Sequence, residues 1–202
     1  MKKTVIIDMD RSQKHTFRVK KGEHLTLAIV ARSPKNKEAH YTVKLAGVGA
    51  KATIIGLVIG TGDTQFSLHT LQQHEAPQTS SDLLVKSVLT DRAAFSYDGE
   101  ILVEKRAQKT DAYQRNENLL LSESAHVRSD PSLEILANDV RCTHGVTVGK
   151  ISEDELWYLA SRGISSASGK KLIVEGFLES AIGRISDTIV AEKLRRMLWK
   201  TL

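Results

Sequence analysis

The residues best placed to do chemistry in this 202-residue chain are its single cysteine, Cys142, and the histidine two positions on, His144. Residues two apart on a β-strand point to the same side. A strand through Cys142-Thr143-His144 therefore presents a sulfur and an imidazole nitrogen side by side, and both are iron ligands in cluster chemistry. Val140, Val146 and Val148 share that parity, so the same face also reads as core, with Cys142 a small buried hydrophobe. Arg141 falls on the opposite parity and is not expected to lower the thiol pKa. The other candidates read more plainly. His69 and His74 lie five apart and His126 stands alone; each reads as a surface or hydrogen-bonded histidine. Glu153, Asp154 and Glu155 read as first-turn acids of a helix, favoured there by the helix dipole, rather than as an acid–base pair.

Other chemistries are excluded by what the sequence lacks. It contains no G-x-x-x-x-G-K-[ST] loop, no G-x-G-x-x-G opening a helix and no G-x-S-x-G elbow. One cysteine rules out Cys-x-x-Cys and an intramolecular disulfide, and it fits a reducing compartment. The net charge is +5, but Lys and Arg are spread along the chain without interleaved aromatics, so the surface reads as solvated rather than as a nucleic-acid site. No apolar run approaches the roughly 18 residues of a membrane span. The basic start has an apolar stretch too short for a signal peptide, and the expected location is cytoplasmic.

The elements that must position these residues change character near residue 150. Over 1–149, short runs rich in β-branched residues recur at 5–7, 16–19, 25–30, 41–45, 52–59, 66–71, 83–89, 94–97, 101–103, 119–121, 133–136 and 140–148. Turn residues separate many of them: Lys21-Gly22, Ser33-Pro34, Gly60-Thr61-Gly62-Asp63, Asp98-Gly99 and Asp130-Pro131. Aromatics are sparse, which suits stacked coils better than a sandwich. The amide-rich stretch 107–118 reads either as rungs stacked inside a parallel β-helix or as a polar surface loop. No strict short repeat is present, so periodicity alone makes the β-helix a candidate.

From residue 150 the pattern is helical. Ser152-Glu153-Asp154-Glu155 is a capping box, Leu156, Leu159 and Ala160 share a face, and Gly163 is placed to stop the helix. A second helix starts near Ser165 or Ser166, with Ile173, Phe177 and Ala181 at four-residue spacing and Gly183 as its stop. Gly176 inside it hints at close packing. A third starts near Ser186-Asp187, with Val190, Leu194, Met197 and Leu198 on one stripe and Lys193, Arg195, Arg196 and Lys200 toward its C-terminal end. These helices are expected to cover the end of the β-structure.

Three stretches together resemble the core of the SufB/SufD family. The first is Gly47-Val48-Gly49-Ala50 and Gly56-Leu57, followed by Gln65-Phe66-Ser67-Leu68-His69 and Pro77-Gln78-Thr79-Ser80-Ser81. The second is Gly99-Glu100-Ile101, then Ala107-Gln108-Lys109-Thr110-Asp111-Ala112-Tyr113-Gln114, then Asn118-Leu119-Leu120-Leu121-Ser122. The third and most specific runs through 131–149 and contains Cys142-Thr143-His144-Gly145; it continues into Leu156-Trp157-Tyr158-Leu159 and Ser161-Arg162-Gly163-Ile164. Order and approximate spacing agree across about residues 47–182. The Cys142-Thr143-His144-Gly145 block is more similar to SufD, or to an undifferentiated ancestor-like form, than to SufB.

The resemblance implies a right-handed parallel β-helix core over 1–149 and a C-terminal helical segment over 150–202. It implies a non-catalytic scaffold in iron–sulfur cluster assembly. The helices would dock an ABC-type ATPase similar to SufC, and a second SufB/SufD-type subunit, or a second copy as a homodimer, would pair through the β-helix. The N-terminal helical domain typical of the family has no counterpart in these 202 residues. Cys142 and His144 become the expected ligands of a transient iron–sulfur cluster. One cysteine cannot supply the usual four ligands, whereas two chains would bring two Cys and two His to one seam. Two other functions compete. An enzyme on a β-solenoid, carbohydrate-active or sulfurtransferase, would need acidic metal ligands or an activating loop around Cys142 that the sequence does not display. A structural adaptor for an ATPase would need the helices but not Cys142.

Overall fold

The computed structural model describes residues 2–9, 11–33 and 35–199; Pro34 and Lys200, expected in a turn and at a helix end, lie outside the described residues. Among the described residues eleven strands come first: β1 (Lys2–Asp8), β2 (Gln13–Val19), β3 (His24–Arg32), β4 (Lys37–Leu45), β5 (Lys51–Gly60), β6 (Gln65–His74), β7 (Ser80–Leu89), β8 (Ala94–Val103), β9 (Thr110–Leu120), β10 (His126–Ile135) and β11 (Val140–Lys150). Odd strands form one sheet in the order β1-β3-β5-β7-β9-β11, and even strands the other, β10-β8-β6-β4-β2. Every pairing is parallel. The chain thus winds as a parallel β-helix of about five turns. Leu27, Ile54, Leu83, Gln114 and His144 stand in one row across the odd sheet. Gly22 at the expected Lys21-Gly22 turn takes φ +65°, a conformation glycine adopts without strain.

Alternation explains the strands. In β6 and β8 every second residue is buried, the signature of a sheet with one face to the core. β5 and β7 are buried on both faces over their second halves, because helices cover their outer side. The upper coils are filled by aliphatic side chains with Tyr41, Phe66, Phe95 and Tyr97, and the rings of Phe66 and Phe95 stack at 4.9 Å. The later coils carry buried polar groups inside, beside an apolar cluster of Ile101, Val103, Ala107 and Ala112. Tyr97 OH and Thr70 Oγ1 lie 2.8 Å apart. Gln72 Nε2 donates to Gln114 Oε1 across the interior, and Gln114 Nε2 donates to the Gly99 carbonyl. Ser87 donates to Asn118, which donates to Asn116 and to the Thr147 carbonyl. The amide-rich stretch therefore divides: its first residues turn, and Thr110–Leu120 places Gln114, Asn116 and Asn118 inside the coil.

Two expected turns are strand interiors. Asp98-Gly99 lies within β8 and Asp130-Pro131 within β10. Gly99 is small for packing rather than for a turn: a Cβ there would sit 2.4 Å from both Gln114 Nε2 and Tyr97 OH. Pro131 is tolerated because β10 is the edge of its sheet, where a missing N–H breaks no ladder on the open side.

Three helices follow: α1 (Glu153–Ser161), α2 (Ser166–Ile182) and α3 (Thr188–Trp199). The capping box at Ser152 and Glu155 forms, and Ser165 caps α2. Asp187 Oδ1 accepts from the amides of Ile189 and Val190 at the start of α3. The helices do not cover the end of the coil. Val174, Leu178, Ala181 and Ile182 of α2 and Ala191, Leu194 and Leu198 of α3 pack on the outer face of the odd sheet, against Ala28, Val30, Ile55, Leu57, Ile59, Leu84 and Val88. That side is apolar along three adjacent strands, which gives the helices a wider surface than the last coil offers. Lys86 anchors α2 by donating to Ser180 Oγ at 2.6 Å, with Glu117 at 2.8 Å and the Phe177 ring beneath it. Gly176 does not mark close packing, since a Cβ there would meet nothing within 4 Å. No helix among the described residues is long and apolar enough to cross a membrane.

Candidate functional site

Both sheets end at the last coil, with β11 and β10 as their outermost strands. The register of β11 on β9 continues the interior rows: Cys142 follows Ala112, His144 follows Gln114, Val146 follows Asn116 and Val148 follows Asn118. These side chains occupy the inward face of a coil on which no further coil is stacked. Val146 and Val148 are therefore exposed, as are Leu133 and Ile135 at the matching end of β10.

Cys142 and His144 share this face but differ in surroundings. Cys142 is half-buried and packs with Val140 against Ile101, Val103, Ala107, Ala112 and Ala137. His144 is exposed. Burial pushes the Cys142 thiol pKa up; a backbone hydrogen bond at Ala112 opposes this, and the Asp111 charge adds to the rise. The resting sulfur is a protonated thiol, and a metal would have to displace that proton to be bound. Arg141 points to the other face and pairs with Asp111, so it gives the thiol no help. Among the described residues, no third His, Cys, Asp or Glu joins Cys142 and His144 in a group of potential metal ligands.

The remaining sequence candidates are dispersed. His74 is buried inside the coil, its ring nitrogens 2.8 Å from Thr79 Oγ1 and 2.9 Å from Ser81 Oγ, and burial lowers its pKa to about 4. His126 is exposed at the start of β10. Glu153, Asp154 and Glu155 serve the first turn of α1. His69 lies on the outer face of β6, in a group that sequence reading missed: Glu38 and His40 of β4, with Asp98 of β8 beside them. The signal was there as polar residues recurring once per coil, His40, His69 and Asp98 being register partners. It becomes visible only when the coil length is known. Trp157, Tyr158 and Leu172 leave an apolar surface exposed on α1 and α2, and Ile189 does so on α3.

The parallel strands and the helices packed along one side define the class as a parallel β-helix protein. The family model described as SUF system FeS cluster assembly, SufBD core domain, matches residues 9–177. The chain belongs to this SufB/SufD family. It is 33% identical over 146 residues to the iron–sulfur cluster assembly protein SufD of Escherichia coli, covering 72% of this chain and 34% of that protein. It is 30% identical over 146 residues to an iron–sulfur cluster assembly SufBD family protein of Synechocystis, covering 72% and 32%. With SufD of Bacillus subtilis the identity is 30% over 153 residues, covering 76% and 35%. The chain spans about a third of the length of these relatives.

Proposed function

We propose that this chain is a non-catalytic scaffold subunit of a SUF-type iron–sulfur cluster assembly complex, acting with an ABC-type ATPase. The observation that carries the reading is the open last coil, where Cys142 and His144 stand among exposed Val146, Val148, Leu133 and Ile135. A second SufB/SufD-type subunit, or a second copy of this chain, would cover that apolar rim and bring its own ligands. Two copies about a two-fold axis near β11 supply two sulfurs and two imidazoles, the number a cluster usually takes from protein. The cluster is cargo here. The exposed apolar surface of Trp157, Tyr158 and Leu172 is the proposed docking site for the ATPase.

Anaerobic reconstitution of the complex with iron and sulfide, followed by visible absorption, tests the reading. Cys142→Ser and His144→Ala are expected to leave the far-UV spectrum and ATPase binding unchanged. Removing a ligand should cost at least what loss of a ligand's outer hydrogen-bond partner does, about tenfold in metal affinity. Cluster formation at the wild-type level in both variants would show that they are packing residues.

A further inference from the structure

We propose that Glu38, His40 and His69 form a second metal site, for a divalent first-row transition-metal cation such as Zn²⁺ or Fe²⁺, on the outer face of the even sheet. The site rests on different strands from Cys142 and His144 and does not depend on the reading above.

The β-helix builds it from residues far apart in sequence. His40 and His69 are register partners on β4 and β6. Neighbouring strands lie about 4.8 Å apart, so the two imidazoles stack, with centroids 4.3 Å apart and planes 7° from parallel. Glu38, two residues before His40, shares its face. Glu38 Oε1 lies 3.0 Å from His40 Nε2 and 3.2 Å from His69 Nε2. A tetrahedral ion with arms of about 2.0 Å spaces its ligand atoms about 3.3 Å apart, close to both distances; the stacked rings would rotate about their χ2 bonds to turn both lone pairs onto one ion. Among the described residues this is the one group of three His, Cys, Asp or Glu whose ligand atoms all lie within 4.8 Å of one another.

A second carboxylate lies beside His69. Asp98, its register partner on β8, places Oδ2 3.3 Å from His69 Nδ1. Asp98 is itself gripped by Arg128 at 3.0 and 3.2 Å, and Arg128 donates to Ser96 Oγ at 2.9 Å. Both ring nitrogens of His69 thus face carboxylate oxygens, while a neutral imidazole has a single N–H. A cation bound at Nε2 would leave the Nδ1 side of the ring to Asp98, the carboxylate–histidine–metal chain that fixes the tautomer in metal sites. Two imidazoles and one carboxylate suit borderline cations rather than Mg²⁺ or Ca²⁺, and they leave positions open to water or another ligand. His40 and His69 line a groove together with Lys14, Thr42, Glu100, Pro131 and Ser132.

The test uses the full chain carrying Cys142→Ser and His144→Ala, so that the open-end residues cannot contribute. Chelator competition is run with Zn²⁺, and anaerobically with Fe²⁺; Co²⁺ absorption reports the coordination. One ion of either metal per chain is expected. Affinity should fall about tenfold or more in His40→Ala and His69→Ala, and about tenfold in Asp98→Asn, the usual effect of losing an outer-shell partner. Glu38→Gln should weaken binding without disturbing the fold. Less than one ion per chain, equal affinity in the histidine variants, or binding of Mg²⁺ and Ca²⁺ in preference would overturn the site.

Discussion

His74 carries the clearest pH signature in the molecule. It is buried inside the coil between the Thr79 and Ser81 hydroxyls, and burial lowers its pKa from 6.5 to about 4. Above the unfolded value, both states hold a neutral ring and His74 adds no pH dependence. As pH falls from 6.5 to about 4, the unfolded chain binds a proton that the folded one refuses, so stability is lost across that window. Below about 4 both states are charged and the loss stops. The shift corresponds to at most about 3 kcal/mol. Urea midpoints measured from pH 7 to 4 should fall for the wild type and fall less steeply for His74→Gln; equal slopes would place the acid sensitivity elsewhere.

At the scale of elements, the helices divide into a face that holds the fold and a face left free. Leu178 and Leu194 are fully buried against the odd sheet, so Leu178→Ala should cost about 2–5 kcal/mol. Removal of all three helices would uncover Ile55, Leu57, Leu84 and Val88 together, a contiguous apolar patch of the kind that aggregates. Point substitutions on the free face separate docking from folding where truncation cannot. Trp157 is 73% exposed, and Trp157→Ala should change stability by less than about 0.5 kcal/mol. Combined with Tyr158→Ala it should nonetheless weaken capture of the ATPase in a pull-down with the purified subunit. Capture at full strength by the double variant would move the docking surface off α1.

For the whole molecule, the open end is the proposed surface of association. The edges of β10 and β11 and the rim of Leu133, Ile135, Val146 and Val148 are left to solvent in the single chain, and natural sheets cover or pair such edges. Sedimentation of the wild type is expected to show a concentration-dependent dimer. Val146→Asp, which puts a charge at the seam, should shift it to monomer without altering the far-UV spectrum. A wild-type chain that stays monomeric at all concentrations, with and without the ATPase, would rule out self-pairing.

Much of this architecture could be read from residue types alone. β-branched runs placed most strands, the Ser152–Glu155 box and Gly163 bounded α1, and the parity of Cys142 and His144 put them on one face. Each of these signals is local, decided within a few residues by side-chain period, capping or turn geometry. Tertiary structure decided the rest, because a coil of about 30 residues brings together groups that no short window contains. It turned Asp98-Gly99 and Asp130-Pro131 from turns into strand interiors, through the crossing Gln114 side chain and the edge position of β10. It laid the helices along the side of the odd sheet, because the apolar outer faces of β3, β5 and β7 line up only once the strands are in register. It also gathered Glu38, His40, His69 and Asp98 from three strands. Their meeting depends on register, which is fixed by the stacking of whole coils and not by any residue's own preference.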